Sequence, residues 1–228
     1  MTDPNSPSIV TTTEAIADRI QQELGRPIVL GAASLIEWRS AFYILTISQP
    51  KYWKEEQGHL TISIGCPGGK LEKDEDFCNA AIRESQEEIG MTPNLFSSSI
   101  TTYFDPEGEE SSLNLTNRIC PFLIHCTTRR GTAGKAGMEG SWTLFSAMYR
   151  AIVSDKEIPI NNGGTGGLLI IPKEKFASFP EIMPIEKFAS ESIELRPAVD
   201  IPNGAYLTLG PGLRYAQIVE RRVASFLL

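Results

Sequence analysis

Apolar positions along this chain change period several times, and each change predicts an element. Ile16, Ile20 and Leu24 recur every four residues, the spacing of one helix face, with Thr13 as the cap and Gly25 as the stop. Residues 1–11 read as a polar tail ahead of it. Apolar, β-branched runs at 28–37 and 41–48, joined at Arg39-Ser40, predict a hairpin. A strand at 60–65 runs into Cys66-Pro67-Gly68-Gly69, a turn signal. A helix over 75–89 follows, capped by Asp74, with acids in its first turn and Gly90 as its stop. Strands are expected at 95–104, 118–127 and 141–153, separated by loops at 105–117 and 128–140. Asn161 to Gly167 reads as a flexible loop leading into a strand at 168–171. The last helix, 212–227, carries Leu213, Ala216, Val219, Val223 and Phe226 on one side. Strands mixed with a few helices indicate α/β or α+β layering.

Composition narrows the partners. The chain has 228 residues, 41% hydrophobic and 21% charged, enough to bury a core in one large domain or a domain with an extension. A net charge of −7 argues against nucleic acid or an anionic membrane as a main partner. A phosphate-bearing substrate then needs metal cations between the two negative charges. Cys66, Cys78, Cys120 and Cys126 include no Cys-x-x-Cys pair, and despite His125 beside Cys126 they read as free thiols in a reducing compartment rather than zinc ligands. The N-terminus does not read as a signal peptide and no apolar run reaches membrane-spanning length, so a cytoplasmic protein is expected.

The chemistry concentrates on the helix at 75–89. At about 100° per residue, Cys78, Ala81, Ile82, Ser85 and Ile89 share one face, and Glu84, Glu87 and Glu88 share nearly the opposite one. Acids at i, i+3 and i+4 repel one another; Arg83 offsets part of that, and a bound cation would offset far more. A bare Glu-x-x-Glu-Glu is most simply a solvated acidic face. The order strand, glycine turn, helix changes the weighing, because Gly68-Gly69 lets backbone approach a ligand closely.

Here the sequence resembles the Nudix hydrolase family, whose box reads Gly-x5-Glu-x7-Arg-Glu-U-x-Glu-Glu-x-Gly-U, with U aliphatic. Gly69, Glu75, Arg83, Glu84, Glu87, Glu88 and Gly90 fill every fixed position, and Met91 closes the box. Ser85 stands where an aliphatic residue is usual, on the sheet-facing side, and so bears on packing rather than on catalysis. The resemblance implies a mixed β-sheet sandwiched between helices. Residues 1–25 would be a tail and short helix, and 26–228 the hydrolase domain with a C-terminal extension. It also implies Mg²⁺ or Mn²⁺ held by Glu84, Glu87, Glu88 and the carbonyl of Gly68. Arg83 would orient the carboxylates, Lys70 would meet substrate phosphate, and Glu75 would support the loop–helix junction. The general base is Glu84 or a loop acid, for which Glu109, Glu110, Glu139 and Glu157 are candidates.

The implied activity is hydrolysis of a diphosphate linkage in a nucleotide, and homodimers are frequent in the family. The alternative is a Nudix-fold module that senses a nucleotide or binds a protein without cleavage, although such proteins usually lose box glutamates. Pro106, fifteen residues beyond Met91, resembles a proline of the ADP-ribose and nucleotide-sugar branch. Trp38, Tyr43, Tyr52, Trp53 and Tyr103 are candidates to stack on a base, each with sheet packing or surface as the simpler reading. The Gly-rich loop at 163–167 lacks the Gly-Lys-Ser/Thr of a Walker-type loop.

Overall fold

The computed structural model describes residues 11–56, 58–130, 140–154 and 164–225. Their strands are β1 (Ile28–Trp38), β2 (Phe42–Ile47), β3 (Lys54–Glu56), β4 (His59–Gly65), β5 (Gly68–Lys70), β6 (Asn94–Phe96) and β7 (Thr101–Phe104). They continue with β8 (Glu110–Leu113), β9 (Leu123–Arg130), β10 (Ser141–Ile152), β11 (Gly167–Pro172), β12 (Ile182–Pro184), β13 (Glu194–Pro197) and β14 (Tyr206–Leu209). The helices are α1 (Thr13–Leu24), α2 (Phe77–Ile89), α3 (Lys173–Phe176) and α4 (Pro211–Ser225). All the strands join one mixed sheet whose main path runs β12-β14-β4-β2-β1-β10-β9-β7-β8.

Alternation along the central strands sends side chains to two apolar layers. Ala32, Ile124, Phe145, Ala147 and Tyr149 point to the layer that holds Ile16 and Ile20 of α1 and Phe77, Ala80 and Ala81 of α2. Leu35, Leu123 and Met148 point to the other, with Phe176 of α3 and Leu213 and Ala216 of α4. Helices on both faces give the α+β sandwich that the sequence implied.

One strand positions the site. β1 pairs in parallel with β10 along one edge, Ile28–Glu37 against Thr143–Ile152. Its other edge is shared: Gly31–Ala33 pair with β5 and Ile36–Trp38 with β2. Between the two, the Ser34 N–H donates to the Pro67 carbonyl at 2.9 Å. The segment expected to be only a turn is therefore bonded flat to β1. A Cβ on Gly68 would come within 2.5 Å of the Ala33 Cβ, which is why glycine is needed there.

Several element ends move for identifiable reasons. Thr12, not Thr13, caps α1, accepting from the Ala15 N–H at 3.2 Å. Asp76, not Asp74, caps α2, accepting from the Asn79 N–H at 2.7 Å. Asp74 lies outside the helix with φ 62°, and the first turn of α2 holds no acid. The run 95–104 splits into β6 on β10 and β7 on β9, because the Ser98 N–H and the Ser97 hydroxyl bond the backbone of Cys120 between them. β8 occupies part of the expected loop at 105–117, β9 starts at Leu123 rather than 118, and it runs on to Arg130.

The glycine-rich segment is closely packed from Gly164 onward, where flexibility was expected. A Cβ on Gly164 would lie 2.9 Å from the Glu87 carbonyl, and one on Gly166 would overlap the Ser48 carbonyl. The Thr165 hydroxyl also donates to the Ile47 carbonyl at 2.6 Å. In α4, Val223 is 44% exposed rather than buried. The expected polar tail before Thr11, the loop positions 131–139, residues 161–163 and Phe226 lie outside the described residues.

α4 is fastened through a buried amide. Gln217 Nε2 donates to the carbonyls of Phe176 at 2.7 Å and Phe179 at 2.9 Å. Gln217→Leu keeps the volume, takes this donor from the buried Phe179 carbonyl and leaves the Phe176 carbonyl with the Phe179 N–H alone. It should cost about 2–3 kcal/mol, read as a melting-temperature drop of roughly 5–10 °C.

Candidate active site

Arg83 organises the acids of α2. Its Nε and Nη2 donate to the two oxygens of Glu75, each at 2.9 Å. Nη2 also reaches the Lys70 carbonyl at 2.9 Å. Nη1 donates to Glu84 at 2.8 Å and to Glu87 at 3.2 Å. One planar guanidinium thus ties the loop before α2 to two carboxylates on it, a task that uses its rigid fork of donors. Glu75 in turn accepts from the Glu72 N–H at 2.9 Å, and Arg83 holds its carboxyl below the ordinary range. Glu75 thus bonds both the loop before α2 and Arg83 on the helix.

Glu84 and Glu88 face inward. A Cβ on Gly69 would fall inside the Glu84 carboxylate, so the absence of a side chain there makes its seat. Burial pushes the Glu84 carboxyl up even with Arg83 beside it. Glu88 accepts from the Gly68 N–H at 3.1 Å. Burial is the main cause that pushes its carboxyl up to about 8; the Gly68 amide opposes the rise, and Glu84 and Glu87 add to it.

Among the described residues, no three His, Cys, Asp or Glu side chains converge as a ready metal cage. The expected trio is drawn two ways: Glu84 and Glu87 lean to Arg83, while Glu88 turns to the Gly68 amide. The donor chemistry nonetheless fits a hard divalent cation. Oxygen ligands suit Mg²⁺, and a carboxyl destabilised by burial becomes charged readily only when a cation joins it.

The sign of that burial is testable. An ordinary glutamate ionises near 4.5, whereas Glu88 in the folded chain holds its proton up to about 8. Between those values the unfolded chain is ionised and the folded chain is not. Stability therefore falls as pH rises through that window. In chelator, the melting temperature should drop from pH 5 to pH 8, and Glu88→Gln should flatten that slope. An equal slope in both proteins would remove Glu88 as its cause.

Two recesses flank the loop at 65–68. The larger, about 310 Å³, is bordered by Gly68–Lys70, His125, Arg129, Trp142, Met148 and Leu213. Lys70 is placed at its edge, where a phosphate could be met. Burial pushes His125 down to about 4, so it is neutral near pH 7. Periodicity singled out none of His125, Arg129 or Trp142 for this place. The smaller recess, about 240 Å³, holds Glu88 with Ser48 and Tyr52.

The remaining candidates fall elsewhere. Trp38, Tyr43 and Tyr103 are buried and Trp53 is half-buried; of the five stacking candidates Tyr52 alone is well exposed. Pro106 sits in the turn between β7 and β8, where Asp105 accepts from the Glu107 and Glu109 N–H groups. Glu110 is paired with Arg222, and Glu109 lies exposed beside it. Glu139 and Glu157 lie outside the described residues.

Residues 32–127 match the family model described as the NUDIX domain. The chain contains a Nudix domain. Each fixed position of the box is filled inside that match. No curated protein matches the chain. Solved structures similar to it include a MutT protein from Methanosarcina mazei Go1, 13% identical with a TM-score of 0.39, over 68% of this chain and 84% of that one. A Nudix-family hydrolase from Clostridium perfringens is 18% identical with a TM-score of 0.40, over 66% and 85%. The Ap4A hydrolase of C. elegans is 15% identical with a TM-score of 0.33, over 66% and 85%. No helix among the described residues is long and apolar enough to cross a membrane.

Proposed function

We propose that this Nudix domain hydrolyses the diphosphate linkage of a nucleoside diphosphate joined to a second moiety, with ADP-ribose or a nucleotide sugar favoured. It would use Mg²⁺ or Mn²⁺ held by Glu84, Glu87, Glu88 and the Gly68 carbonyl. The observation that carries this reading is Glu88, a carboxyl destabilised by burial, seated under the Gly68 amide beside the inward-facing Glu84. A bound divalent ion would polarise the phosphoryl oxygens, lower the pKa of the attacking water and neutralise the leaving group.

The chain's own residues do the rest. Arg83 orients the Glu84 and Glu87 carboxylates through its fork of donors. Glu84, its carboxyl raised by burial, is a stronger base than an ordinary glutamate and would accept the proton from water. Glu110 is less suited to that role because Arg222 already occupies it. Lys70, at the edge of the larger recess, would meet substrate phosphate. Pro106 has a turn to serve and needs no substrate to explain it; support for a second moiety comes instead from the two recesses on either side of the loop.

The test is a panel of ADP-ribose, sugar nucleotides, oxidised nucleoside triphosphates and dinucleoside polyphosphates, with products identified by mass. The expected result is cleavage into two phosphorylated products from ADP-ribose or a sugar nucleotide, only with Mg²⁺ or Mn²⁺ present. Binding without products across the panel would instead mark a nucleotide-sensing module.

A further inference from the structure

We infer that the smaller recess, beside Glu88, is the subsite for the sugar half of a nucleoside diphosphate sugar, with Tyr52 as its stacking face. This rests on the pyrophosphohydrolase reading above and adds where each half of the substrate lies.

Size is the first argument. At about 240 Å³ the recess falls below the roughly 300–1,000 Å³ of pockets that enclose a whole drug-sized ligand. It suits one ring. It also shares Gly65 and Gly210 with the larger cavity, so one extended molecule can enter both.

Chemistry is the second. Thr46, Gln49 and Ser63 give the smaller recess polar lining, whereas Val29, Leu144 and Met148 help make the larger one apolar. A hydroxyl-rich ring belongs in the first and a flat base in the second.

The third argument is Tyr52. It is 62% exposed, at the end of the short helical turn Pro50–Tyr52. The turn is pinned by the Trp53 indole N–H, which donates to the Ser48 carbonyl at 2.7 Å. The Lys51 ammonium stands 5.0 Å from the Tyr52 ring centroid. An exposed ring on a pinned turn offers contact area at little cost in conformational entropy.

The experiment measures binding apart from cleavage. In the Glu84→Gln protein with Mg²⁺, ADP-ribose should bind at least tenfold tighter than ADP, which lacks the second ribose. Adding Tyr52→Ala should reduce that preference fivefold or more, and Tyr52→Phe, which keeps the ring, should restore most of it. Tyr52 is exposed, so its variants should fold, which a melting curve checks. Equal binding of ADP-ribose and ADP, or a preference that Tyr52→Ala leaves unchanged, overturns the subsite. A wild-type protein that binds ADP-ribose with this preference but releases no AMP overturns the hydrolase reading and leaves the subsite standing.

Discussion

Glu88→Gln should lower Mg²⁺-dependent turnover by about a thousandfold, which is ~4 kcal/mol at roughly 1.4 kcal/mol per tenfold. The amide has nearly the shape of the carboxyl, so the Gly68 N–H keeps an oxygen to bond. What it loses is the negative charge a cation would draw out. Above pH 8 the chelated variant should melt no lower than wild type, because wild-type Glu88 is then ionised in a half-buried place. Turnover and stability therefore move in opposite directions, which a simple loss of folding cannot do. A variant that kept full rate at limiting Mg²⁺ would refute the ligand role.

Arg83→Lys should lower kcat/KM by about a hundredfold with the charge conserved, in line with the roughly 10–100-fold effects of groups that orient metal ligands. An ammonium cannot reach both oxygens of Glu75 together with Glu84, Glu87 and the Lys70 carbonyl, as the guanidinium does. Titrating Mg²⁺ in steady-state assays would show the loss partly as weakened metal affinity, recovered in part at high Mg²⁺. If lysine supports the wild-type rate, Arg83 serves only as a charge.

The box was legible because its spacing is rigid: a helix turns residues 83, 84, 87 and 88 to fixed sides, and Gly69 has to be bare where Glu84 lies against it. The flanking strands 28–37 and 41–48 were legible from their apolar runs, and Arg39-Ser40 adopts the left-handed turn between them with φ 51° and 55°. Misread parts share a different cause. β12, β13 and β14 have three or four residues each, too few to show a period, and they pair with partners remote in sequence. The glycines at 164–167 looked like freedom and turned out to be close approach, which one residue type signals equally. The divided lean of the box acids depends on where the loop before α2 places the Lys70 and Gly68 backbone, and helical spacing carries no information about that.

β14 lies parallel to β4, Tyr206–Leu209 against Thr61–Ile64, and the Gly210 N–H donates to the Ile64 carbonyl at 2.8 Å. The strand that delivers Gly65–Gly68 to the acids is thus completed by residues made long after it. On a translating ribosome the box helix can form early, but the floor beneath it waits for the distal chain. Truncation before Tyr206 would then yield a protein with every fixed box residue and an unfinished site.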